Sequence, residues 1–139
     1  MSVTNREIYT GALALIAENA NSVNTEDYED RAPYLIASFC SSNASLDKKI
    51  RKMDNLPDAS RFSPVYLSLE FDFPLCDRLT SAASLYTASM LTIDEDATLS
   101  DSLYDKYCDA ISSLETCYSS GEHTTISDCR SITERYFFD

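Results

Sequence analysis

The chain of 139 residues holds two glycines, one histidine and no tryptophan. With only Gly11 and Gly121, it has no glycine-rich phosphate loop, and the scarcity argues against a turn-dense β-sandwich or barrel. It has no apolar run of about 18 residues, so no segment is expected to cross a membrane. No charged start leads into an apolar stretch of the secretory kind, and folding is expected where the chain is made. Basic residues are few: 11 Lys and Arg face 23 Asp and Glu, for a net charge of −12. A surface of that sign repels nucleic acid phosphate and anionic lipid, which disfavours tight non-specific DNA binding. G-x-S-x-G, H-E-x-x-H and P-loop patterns are all missing. With no paired-acid frame either, the chain is not expected to be an enzyme or to carry a cofactor. What remains is 44% hydrophobic and 24% charged, a globular composition. The expectation is one all-α domain over residues 1–139.

The reactive side chains give little chemistry. Cys40, Cys76, Cys108, Cys117 and Cys129 are odd in number, and no two have C-x-x-C spacing. They read as buried or half-buried thiols in a reducing compartment. A zinc site from Cys108, Cys117, His123 and Cys129 would need compact knuckle spacings that the sequence lacks. His123 lies in a polar stretch and reads as a solvated loop residue. Asp94, Glu95 and Asp96, with Asp101 nearby, have neither the calcium-loop frame nor its glycine. Helix capping and a solvated face account for them, and no metal site is expected.

Hydrophobic periodicity predicts four main helices. Thr4 and Glu7 match a capping box opening a helix over 5–18, with Ile8, Ala12, Leu15 and Ile16 on its apolar face. Tyr28, Ala32, Leu35, Phe39, Leu46, Ile50 and Met53 form one stripe, predicting a long helix over 26–53. Pro33 disturbs it, and Ser41, Ser42 and Asn43 offer a break. Lys48, Lys49, Arg51 and Lys52 form a basic patch that suits a helix C-terminus or contacts an acidic neighbour. Residues 54–73 break the pattern. Val65, Leu67, Leu69 and Phe71 alternate with Tyr66, Ser68 and Glu70, which predicts a short extended or β insertion. A lone strand is unstable, so this segment is the one expected to reach a partner. A third helix over 74–93, capped by Asp72, is rich in small residues and is expected to be the central one, with Leu79, Tyr86 and Met90 in the core. A fourth over 99–118 is capped near Thr98. Residues 127–139 read as a short helix and an aromatic C-terminal tail.

Two stretches carry a resemblance. Leu85 through Asp96, then Ser100 through Ala110 with Tyr107 and Ala110 in a Y-x-x-A pattern, resemble the adaptor proteins of tailed-bacteriophage head–tail connectors. The opening Ile8 to Ile16 is similar to that family's first helix. The resemblance implies a non-enzymatic virion structural protein, made in the bacterial host cytoplasm. It implies a homo-oligomeric ring, commonly of twelve copies, beneath the portal protein. Its partners would be the portal, neighbouring adaptor subunits, a tail or stopper protein, and double-stranded DNA passing without specific binding.

The candidate partner-interface residues are Arg135, Tyr136, Phe137, Phe138, Tyr66 and Glu70. Asp94, Glu95 and Asp96, or the carboxylates of the 25–30 region, are the channel-facing candidates, since a negative wall lets DNA slide. The alternative is a small acidic cytoplasmic interaction or regulatory module that mimics nucleic acid or inhibits a basic protein.

Overall fold

The structure is a computed structural model, and it describes residues 2–17 and 25–118. Among these, five α-helices form: α1 (Asn5–Leu15), α2 (Thr25–Ser42), α3 (Ala44–Met53), α4 (Thr80–Thr92) and α5 (Ala97–Tyr118), with a 3-10 turn at Asp77–Leu79 before α4. The molecule is mostly helical, as the composition and periodicity predict. None of its helices is long and apolar enough to cross a membrane.

The N-terminus of α1 forms as its sequence dictates. Thr4 is extended, and its hydroxyl accepts from the Glu7 amide, satisfying one of the donors a first turn leaves open. At its other end α1 stops at Leu15, three residues before the predicted end, because Ala17 takes a left-handed conformation at φ 58°. Leu15, placed on the apolar face by periodicity, is exposed, while Tyr9 and Leu13 are buried.

The predicted long helix is two helices. Asn43 leaves helical geometry at φ −111°, ψ 12°. Its side-chain amide donates to the Phe39 carbonyl at 3.0 Å and to the Tyr107 hydroxyl at 3.3 Å. Such side-chain competition for backbone groups is what makes Asn poor helix material. Helix α2 runs through Pro33, whose carbonyl accepts from the Leu67 amide at 3.1 Å. Asn55, just past the end of α3, has φ 59°, and Leu56 N–H bonds back to Arg51 O at 2.7 Å, closing the helix in a Schellman-type turn.

The predicted β insertion forms no strand. Its one bridge pairs Thr4 with Asp72. The amides of Asn5 and Arg6 instead donate to the carbonyls of Phe71 and Leu69, each at 2.9 Å, and Phe73 N–H donates to Val3 O at 2.7 Å. The segment therefore spends its hydrogen-bonding edge on the open first turn of α1, which leaves no run of pairs long enough for a ladder. A turn from Phe71 N–H to Ser68 O also interrupts the alternation. Leu67 and Leu69 are buried as predicted, but Val65 and Phe71 are exposed.

Nor does the next helix start at residue 74 with an Asp72 cap. Cys76 is extended, with its amide held by Asp47 Oδ1 at 2.7 Å, so helical geometry begins only at Asp77. Helix α4 then packs against α1, α2 and α5. Its buried hydroxyls are satisfied locally: Thr87 donates to Ala83 O, Ser89 to Tyr86 O and Thr92 to Ala88 O. Small residues bring the backbones close. A β-carbon on Gly11 would lie 2.7 Å from Ser84 Oγ, the atom that donates to Ile8 O at 2.9 Å. Ser100 Oγ likewise ties α5 to Ser89 O of α4 at 2.7 Å.

Buried side chains form one cluster in which Tyr28, Ile36, Phe39, Ile50, Leu79 and Leu91 are among the largest. Leu79 is in the core as predicted. Tyr86 and Met90 are half-buried instead. Tyr86 sits in an aromatic group with Phe39 and Tyr107, its rings 6.0 and 5.2 Å away, and its hydroxyl reaches Ser38 Oγ at 3.1 Å. A phenol with a polar tip settles at the rim of a core more readily than inside it.

Candidate functional site

Tyr66 and Glu70, singled out from the insertion, lie on one cleft of about 420 Å³ between that segment, α1 and α2. Its other notable groups are Arg6, Glu29, Asp30 and Tyr34. Tyr34 and Tyr66 are 54% and 47% exposed. They meet edge to face with centroids 5.1 Å apart, a favourable geometry for a ring pair. Arg6, itself exposed, bridges the cleft from α1 to both α2 and the insertion. It donates to Glu29 Oε1 at 2.8 Å and to Glu70 Oε1 through both Nε, at 3.0 Å, and a terminal nitrogen. Hydrogen bonds to Glu29, then to Glu70, raise the Arg6 pKa above its ordinary value. Three carboxylates against one guanidinium leave the cleft negative. Tyrosine faces beside carboxylates suit a cationic side chain.

The insertion that carries Tyr66 is anchored at its base by charge. Asp47 is 2% exposed. One of its oxygens holds the Cys76 amide, and the other accepts from Arg51 Nε at 2.9 Å. Arg51 then donates to Pro57 O at 2.9 Å and Pro74 O at 3.1 Å, joining both ends of the loop to α3. Arg51 was expected to complement the helix dipole as part of a basic patch. It is turned inward, and Lys48, Lys49 and Lys52 alone face solvent. Asp54 forms a second anchor, accepting from the Tyr118 hydroxyl at 3.0 Å and pairing with Arg78 at 3.4 Å. Burial, followed by the hydrogen bond to Asp54, pushes the Tyr118 pKa up to about 12.

Asp94, Glu95 and Asp96 lie exposed in the turn between α4 and α5. Two of them have structural partners. Glu95 accepts from the hydroxyl of buried Tyr28. Asp96 accepts from Leu99 N–H through Oδ1 at 3.1 Å and from Ser100 N–H through its carbonyl at 2.9 Å. Asp96, not Thr98, is thus the cap of α5. Arg135, Tyr136, Phe137 and Phe138 lie outside the described residues, as do His123 and Cys129.

Among the described free thiols, Cys108 departs from the expectation of buried or half-buried cysteines. Cys40 and Cys76 are buried free thiols and Cys108 is an exposed one. Among the described residues no three of His, Cys, Asp and Glu gather to hold a metal ion.

Sequence reasoning missed Tyr34 and Arg6 as site residues, and it assigned the acids of the 25–30 region to a channel wall rather than to a cleft beside Tyr34 and Tyr66. Tyr34 alone carried a signal, since it stands one position off the apolar stripe, where an aromatic must face water. No family model matches the chain, and neither a curated protein nor a solved structure does.

Proposed function

We propose that the chain is a non-enzymatic virion structural protein, a head–tail connector adaptor that forms a ring beneath a portal through which genomic DNA passes. The observation that carries this reading is the 54–76 segment. It holds Val65, Tyr66 and Phe71 at 64%, 47% and 67% exposure, while Asp47 and Arg51 tie down both its ends. Large apolar groups held in water on a fixed frame form a surface made for another protein. The sequence likeness to connector adaptors supplies the partners: the portal, neighbouring copies, and a tail or stopper protein. Weak contacts repeated around a ring add up to a firm joint. In this reading Asp94, Glu95 and Asp96 face the channel and repel DNA, and Arg135, Tyr136, Phe137 and Phe138 reach the portal.

Native mass spectrometry of the chain mixed with purified portal rings tests it. The expected result is a complex with several copies per portal ring, weakened by the double substitution Val65→Ala, Phe71→Ala, which leaves the Tyr34–Tyr66 ring pair intact. A chain that ignores the portal and instead binds a basic protein one to one would replace this reading with the acidic interaction module.

A further inference from the structure

The chain has four lysines, and three of them, Lys48, Lys49 and Lys52, stand exposed on α3. The other two charges within that stretch, Asp47 and Arg51, pair with each other, so the edge keeps three positive charges. Among the described residues no ion pair uses these lysines. On a molecule of net charge −12, such an edge is an exception. The cleft around Tyr34 and Tyr66 has the opposite character. Glu29, Asp30 and Glu70 outnumber Arg6, and two tyrosine rings flank them. Asp30 takes no part in an ion pair among the described residues and is free to receive one.

We propose that the Lys48, Lys49 and Lys52 edge of one copy seats in the tyrosine–carboxylate cleft of a second copy. An ammonium group over a tyrosine face, with Asp30 and Glu70 beside it, gains from both the ring and the carboxylates. The two surfaces are different patches, so the contact is head to tail. Each copy keeps one edge and one cleft unused, and association continues until rotation closes a ring. This inference rests on the adaptor reading for its biological sense and names the surfaces by which neighbouring copies meet. Because both surfaces are exposed, the contact is weak and sensitive to salt.

Sedimentation velocity on the full chain, over a range of concentrations at low salt, reads it. Self-association is expected, and it fades as salt rises from about 0.02 to about 0.3 M. The pair K48E/K52E and the pair D30K/E70K should each raise the dissociation constant at least about tenfold, with circular dichroism confirming that both remain folded. Mixed in equal amounts, the two variants should associate again, because the native edge of the cleft variant fits the native cleft of the edge variant and the two reversed surfaces also match in charge. A wild-type chain that stays monomeric throughout would overturn the inference, as would variants that associate unchanged or a mixture no better than its parts. The portal experiment is independent of this one. Portal binding by charge-reversed variants that still form a complete ring removes this contact and leaves the adaptor reading. Charge-dependent self-association without portal binding does the reverse.

Discussion

Removing the Asp47 carboxylate tests the anchor on which the exposed insertion depends. In Asp47→Ala the buried Cys76 amide loses its acceptor at 2.7 Å and the Arg51 guanidinium loses its counter-charge at 2.9 Å. An unsatisfied buried amide costs about 1–3 kcal/mol. Breaking a buried ion pair from one side costs about 3–5 kcal/mol. These overlap, and the Arg51 side chain keeps 16% exposure, so water recovers part of its solvation. A net loss of about 3 kcal/mol is therefore expected, out of roughly 5–15 kcal/mol for a whole domain. With an unfolding entropy of about 2.1 cal/mol/K per residue, that lowers Tm by roughly 10 °C. Urea denaturation followed by far-UV circular dichroism measures the loss directly. Limited proteolysis should at the same time show faster cutting within residues 54–76, because Arg51 no longer holds Pro57 and Pro74. Asp27→Ala is the control. It breaks an exposed pair with Arg31 at 3.4 Å and should cost no more than about 0.5 kcal/mol. If Asp47→Ala costs less than about 1 kcal/mol, the loop is not held by this pair.

Three other outcomes follow from the packing. Leu79 is fully buried, so Leu79→Ala should cost about 2–5 kcal/mol in the same urea assay. Ala17 holds φ 58° at the end of α1, where glycine avoids about 1–2 kcal/mol of strain but costs about 0.5–1 kcal/mol in unfolded-chain entropy. Ala17→Gly should therefore raise stability by roughly 0.5–1 kcal/mol, read as an increased urea midpoint. Burial pushes the Cys40 and Cys76 thiols from 9.0 up to about 12, with Asp47 adding to both. Folding thus favours their protonated forms. The stabilisation is complete below pH 9 and is lost as pH rises from 9 towards 12, at about 1.4 kcal/mol per unit for each thiol. Urea midpoints at stepped alkaline pH should fall accordingly, and alkylation with peptide mapping should label Cys108 in the native protein but Cys40 and Cys76 only after denaturation.

Features set by neighbours in sequence were legible. The Thr4 cap needs only Glu7 three residues away, and the break at Asn43 lay in a run already poor for helix. Stripe positions such as Tyr28, Ala32, Phe39 and Ile50 are buried as their spacing demands. What failed depends on distant partners. Alternation at residues 65–71 predicts a strand, but a strand needs a ladder, and the carbonyls of Leu69 and Phe71 were taken by the first turn of α1. Asp47 carries no signal of its own in the sequence, since nothing nearby shows that Cys76 will deliver an amide to it. The cleft was half legible. Tyr66 and Glu70 stood out as the outward residues of an alternating segment. Arg6, which meets Glu70 across 64 positions, left no periodic trace, and the acids of the 25–30 region stood out by charge with nothing nearby to place them against Tyr66 and Glu70.

The same distant pairings link stability to binding. Val65, Tyr66 and Phe71 lie on a stretch without regular secondary structure, where an untethered chain would lose much freedom on docking, at about 1–2 kcal/mol per backbone residue ordered. Here much of that ordering happens on folding. Arg51 fixes the ends of the loop, Leu67 and Leu69 fix its middle in the core, and the first-turn amides of α1 donate to its carbonyls. Arg6 extends the constraint to the cleft, since it holds Glu70 of the loop and Glu29 of α2 at once. A partner meeting this surface finds the tyrosine pair and its carboxylates already positioned, so more of the contact energy remains as affinity. In the proposed ring, which would repeat the contact at every subunit, this gain would recur at each joint. The charges at the base of the loop would then serve the proposed association as well as folding, although none of them needs to touch the partner.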